Sequence, residues 1–149
     1  MNKIKFILII VSLIVFTKCK SSKEAIFEKR YKEAYINDFK IKYFRSLLSE
    51  SFSHSNEIKV ILKNDASKGL ADPNLSMQDY QVIDSVVKID NFLMAQDSAR
   101  RDLLVRERKL PEGNKGKYVF TYALERYNSK WLDSLSKARY MINKKAQEN

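Results

Sequence analysis

Apolar residues recur at spacings of three and four along most of the chain, the period of helices with one buried face. After Ser21-Ser22-Lys23-Glu24, which has the Ser-x-x-Glu spacing of a capping box, one face carries Ile26/Phe27, Tyr31 and Ala34/Tyr35. The pattern resumes past Asn37-Asp38 with Phe39, Tyr43, Phe44, Leu47, Leu48 and Phe52. Residues 22–52 are therefore one bent helix, or two with the second capped by Asp38; either way the Leu47/Leu48 face is core. Ser53-His54-Ser55-Asn56 is a polar break. Ile58, Ile61, Leu62 and Ala66 then put a helix over Glu57–Ser67, with Gly69 just beyond its end. Asp72-Pro73-Asn74 reads as a turn. Ser76 with Asp79 three residues on caps the next helix, stapled by Leu75 and Tyr80. Tyr80, Ile83, Val86/Val87, Asp90 and Leu93/Met94 keep its phase from Met77 to at least Ala95. Leu103-Leu104-Val105 extends that helix or forms a short one, whereas Leu110 to Gly116 is loop because Pro111, Gly113 and Gly116 break it.

The stretch from Tyr118 to Tyr140 reads as two short amphipathic helices meeting at a corner, Tyr127-Asn128-Ser129. Val119, Tyr122, Ala123 and Arg126/Tyr127 share a face of the first; Trp131, Leu135, Ala138 and Ile142 share a face of the second. Asn128 is the expected N-cap, Tyr127 and Leu132 are placed as a staple, and Asp133 complements the N-terminal dipole. Trp131, the only Trp, is expected in the core of this corner; Tyr118, Tyr122 and Tyr140 are expected partly exposed around it.

Composition narrows the fold class. Three Gly and two Pro leave little material for hairpins, and Lys, Glu, Leu and Ala are abundant. The expected fold is all-α: a compact single-domain bundle of about five to six helices, residues 23–149, after an N-terminal signal segment. That segment is residues 1–18. Lys3 and Lys5 precede an apolar run from Phe6 to Phe16, too short to span a bilayer and of the length of a secretory signal. Cys19, the only cysteine, stands where a bacterial lipoprotein carries its lipid, with a tether over 19–22. Lys18 departs from the small residue usual before that cysteine, which leaves an uncleaved anchor or a plain cleaved signal as alternatives. Loss of residues 1–18 removes Lys3, Lys5 and Lys18 and no acid, lowering the net charge from +10 to +7. Outside the cytoplasm such charge meets anionic lipid, an acidic partner or acidic wall polymer rather than nucleic acid, or is a solvated surface; no single basic stripe stands out.

No catalytic set is legible. His54 is the only histidine and lies among serines in a break, Ser98 and Ser134 have no His near in sequence, and no Gly-rich phosphate loop occurs. No Cys/His cluster has zinc spacing. Asp72, Asn74 and Ser76 begin like a calcium loop, but Met77 and Ile83 occupy the places of its later glycine and glutamate. The sequence therefore reads as a binding protein without enzyme activity, cofactor or metal.

The run Ala123-Leu124-Glu125-Arg126-Tyr127-Asn128-Ser129, followed by Leu132-Asp133-Ser134-Leu135 and Tyr140, resembles the closing motif of the type VI secretion amidase immunity proteins, Cys-apolar-Asp-apolar-Tyr-x-Ser-x-x-Leu-Asp. The resemblance extends over roughly residues 37–140: an aromatic-rich helix ending Leu47-Leu48-Ser49-Glu50-Ser51-Phe52, a middle helix, a Tyr80-x-x-Ile83 helix, then the Tyr-x-Ser corner. The two cysteines typical of that family match Leu47 and Ala123 here, as if a cross-link were exchanged for apolar contact between the same helices. A second departure is the long connection 96–117. The resemblance implies a periplasmic, membrane-anchored immunity protein that occludes the Cys-His active site of a peptidoglycan amidase toxin, commonly as a homodimer. Its expected contact surface is the polar loop Arg106, Glu107, Arg108, Lys109, Leu110, Glu112, Asn114, Lys115 and Lys117, long enough to enter a groove. The alternative is a structural or adaptor lipoprotein that binds another envelope protein.

Overall fold

The computed structural model describes residues 2–65, 74–109 and 116–148, with side chains outside 2–22 and 147–148. All regular structure among them is helical: α1 Asn2–Ser51, α2 Asn56–Asn64, α3 Met77–Arg106, α4 Val119–Tyr127 and α5 Lys130–Glu148. The all-α expectation holds, with five helices. No helix among the described side chains is long and apolar enough to cross a membrane.

The helix start expected at Ser21–Glu24 is not a start, because α1 runs through it from Asn2. No Gly or Pro precedes Gly69, so nothing local breaks the helix. Of the two alternatives over 22–52, the single helix is the one adopted, and Asp38 is a buried residue in its interior rather than a cap. The chain divides into two compact units, Met1–Ala34 and Tyr35–Asn149, with residues of α1 in each. In the first, Ile26 and Phe27 are exposed and Lys29 lies 4.0 Å from Glu33 one turn on.

In the second unit the end of α1 is the central element. Tyr35, Phe39, Tyr43 and Leu47, successive turns of one face, are all buried to within 1%. Asn74 donates to Asp38 at 2.8 Å and the Lys42 ammonium lies 4.9 Å over the Tyr80 ring, so α3 runs parallel to α1. Tyr127 lies against Phe44 and Phe120 against Phe52, each at 6.0 Å between rings, so α4 runs back along α1. Arg139 and Asn143 of α5 reach Asp79 near the start of α3. Together α4 and α5 form one broken helix antiparallel to α3. The core is Phe39, Tyr43, Leu47, Leu48, Ile83, Val87, Met94, Val119, Ala123 and Leu132, each large side chain worth about 1.5–3 kcal/mol when fully buried. Leu47 and Ala123, the two positions matched to family cysteines, are wholly buried in this one cluster.

Local signals set most boundaries. The expected capping box is present: Ser76 N–H donates to Asp79 at 2.8 Å and Asp79 N–H to the Ser76 hydroxyl at 3.3 Å. Ser53 and His54, both in the left-handed region, end α1, and Ser55 caps α2. The helix from Met77 extends to Arg106 because no Gly or Pro interrupts it, so residues 96–106 are helix and not loop.

Candidate protein-binding face

Two fully buried carboxylates dominate the interior. Asp90 accepts from the Tyr43 hydroxyl at 2.5 Å, the Tyr122 hydroxyl at 2.9 Å, and Arg126 Nε and Nη2 at 3.0 Å each. The fork ties α1 and α4 to α3 through one charge. Asp79 is held by Arg139 Nε at 2.8 Å, Asn143 Nδ2 at 2.6 Å and the Ser76 amide and hydroxyl. Burial would raise its carboxyl, but these donors together hold it below the ordinary carboxylate range. Burial, and then the bond to Asp90, pushes the Tyr122 phenol up to about 12 and the Tyr43 phenol higher still. The first cluster ties α1 and α4 to α3, and the second ties α5 to the start of α3.

Ser49 Oγ lies 2.8 Å from His54 Nδ1, and His54 Nε2 lies 3.0 Å from Glu50, the composition of a hydrolytic triad. The amides of Phe52, Ser53, His54 and Ser55 all donate to backbone carbonyls, which leaves none of them to stabilise an oxyanion, and the ring is exposed. Among the described residues no group of three or more His, Cys, Asp and Glu is placed to hold a metal.

The corner of α4 and α5 departs from expectation in two ways. Asn128 is the C-cap of α4, still with αR backbone, and Ser129 caps α5 instead. Its hydroxyl donates to the Arg126 carbonyl at 2.6 Å and accepts from Leu132 N–H at 3.2 Å, tying both helix ends. Trp131 is not in the core: it is 43% exposed, stacked on the Arg126 guanidinium at 4.0 Å, and its neighbour Leu132 is fully buried in its place. The buried face of α5 is Leu132, Ser136, Arg139, Tyr140 and Asn143, turned by one residue from the apolar stripe because Asp79 needs donors. Tyr140 is accordingly buried, against Tyr35 at 5.6 Å; Tyr118 and Tyr122 are partly exposed as expected.

That rotation leaves Trp131, Leu135, Ala138 and Ile142 on the flank of α5 next to α3, opposite the Tyr140 side that meets α1. On α3 the Tyr80 side meets α1, and the other flank carries Val82, Val86, Ile89, Phe92 and Leu93 with Gln78, Ser85 and Gln96. Neither stripe holds a charge until Arg100 and Lys145, in a chain of which 31% is charged. Phe92 and Ile89 are 61% and 59% exposed, and the face presents roughly 500 Å² of apolar surface at the areas such side chains carry. That is within the range of the largest apolar patch on a typical soluble monomer, which is often a functional site.

No protein-family model, curated protein or solved structure matches the chain.

Two concave sites accompany the face. A groove of about 370 Å³ opens between α1, α2 and α4, lined by Ile41, Phe44, Leu48, Ile61, Leu62, Leu124 and Tyr127, with Arg45 paired to Asp65 at 2.6 Å and to the Leu62 carbonyl. A more polar cleft of about 410 Å³ lies between α3 and α4, where Arg101 pairs with Asp97 at 2.7 Å and covers the Tyr118 ring, with Glu125 at its rim. Of the expected contact loop, Arg106 ends α3, and Glu107, Arg108, Lys109 and Lys117 are exposed. Leu110, Glu112, Asn114 and Lys115 lie outside the described residues, as does the Cys19 side chain. Sequence reasoning missed the face because its apolar period reads as core.

Proposed function

We propose that the chain is a non-enzymatic binding protein of the cell envelope, of the immunity type its closing motif resembles, which grips a peptidoglycan amidase toxin and occludes its Cys-His site. The observation that carries the binding reading is the uncharged face of α3 and α5, where charge depletion and exposed aromatics have the composition of an interface centre. Arg106, Arg108 and Lys109 lie beyond Leu103 at the end of α3, where they steer an acidic partner toward it. The test is calorimetric titration of the full chain with cell-wall amidases of the Cys-His type, alongside their activity. Sub-micromolar binding with stoichiometric loss of activity is the expected result. Absence of binding across the panel, an amidase encoded beside the chain included, would sink the immunity reading in favour of an adaptor lipoprotein.

A further inference from the structure

We infer that the α3–α5 face receives an amphipathic helix of another protein, apolar on one side and edged by Asp and Glu. The inference rests on the binding reading above and names its partner element. Arg139 and Asn143 meet Asp79 and Arg126 meets Asp90, so the Trp131–Ile142 stripe lies beside about residues 78–89 of antiparallel α3, a span of about 17 Å. The two stripes thus run side by side as one trough-like face over about three helical turns, the length of a helix that would lie on it. Small side chains, Ser85 on α3 with Ser134 and Ala138 on α5, let a backbone approach closely.

Charge selects the occupant. Lys145 follows Ile142 on the α5 stripe, Lys130 adjoins Trp131, and Arg100 lies farther along α3 beside α4; all three are exposed. Near the α3 end Asp97 is paired with Arg101 at 2.7 Å and Glu107 with Lys109 at 2.8 Å, while exposed Glu125 of α4 lies in the adjoining cleft. A partner helix edged with acids meets complementary charge, whereas a second copy of this chain brings the same basic edges and is repelled.

Trp131 is the only Trp and stands in the trough, so its emission reports occupancy directly. The full chain is titrated with a Trp-free synthetic helix of about 16 residues carrying Leu at helical spacing and Glu on both edges, and with its counterpart in which every Glu is Lys. The expected result is a saturable blue shift of Trp131, about tenfold tighter for the Glu peptide and weaker at high salt. Ile89→Glu should abolish the shift while circular dichroism stays native; Lys109→Ala should leave the shift in place. Equal binding of both peptides, or none, would overturn the inference. So would self-association in sedimentation equilibrium that shifts Trp131 without peptide. An amidase inhibited with Trp131 emission unchanged overturns the trough and keeps the immunity reading; peptide binding without any amidase binding does the reverse.

Discussion

Removal of the Asp90 carboxylate tests whether a single buried charge holds α1, α3 and α4 together. In Asp90→Ala the Tyr43 hydroxyl, fully buried, loses its acceptor, at about 1–3 kcal/mol for an orphaned donor. Arg126 loses its fork. Breaking a buried pair by deleting one partner costs about 3–5 kcal/mol, but the Arg126 side chain is 27% exposed and stacked on Trp131, so water reaches it and the low end applies. The two losses share one acceptor and do not add fully, which gives about 3–5 kcal/mol in all, a large part of the ~5–15 kcal/mol that folds a domain. Urea unfolding followed by circular dichroism reads it as a lower midpoint at unchanged slope. The triple variant Asp90→Ala, Arg126→Met, Tyr43→Phe, which removes the charged donor and the fully buried one with the acceptor and leaves only the half-buried Tyr122 hydroxyl, should recover most of the loss. A cost below about 1 kcal/mol for Asp90→Ala, or a triple variant no more stable than the single one, would refute the assignment.

Adjacent residues of α5 differ in cost: Leu132→Ala leaves a core cavity and should cost about 2–5 kcal/mol, whereas Trp131→Ala, which loses a half-buried ring and a cation–π contact and leaves no core cavity, should cost about 1–2 kcal/mol in the same unfolding assay. At high pH the phenols of Tyr43 and Tyr122 are held neutral in the fold while the unfolded chain ionises near pH ~10. Their contribution is therefore whole below that pH and is lost as pH rises through it, so stability should fall above pH ~10, and the double variant Tyr43→Phe, Tyr122→Phe should flatten that fall; an unaltered slope counts against the assignment.

What the sequence makes legible depends on how far each signal reaches. The Ser76/Asp79 box and the buried phase Ile83, Val87, Asp90 and Met94 are written within a few turns of one helix, and both hold. On α4 the expected face, Val119, Tyr122, Ala123 and Arg126/Tyr127, is also the inward one. On α5 the same method chooses a face one residue off, because Arg139 and Asn143 are committed to Asp79, 60 and 64 residues earlier. Nothing local shows that commitment. Asp79 looks like a cap and no more, and its second role appears only when α5 is folded against it. Once Arg139 and Asn143 turn inward, helical geometry forces Trp131, Leu135, Ala138 and Ile142 toward the surface, whatever their hydrophobicity. An apolar period therefore shows that a helix has something to cover, while long-range polar pairs decide whether the chain covers it itself. Here the Asp79 cluster decides against α5's own stripe, and for that reason the stripe stays at the surface with its apolar side chains exposed.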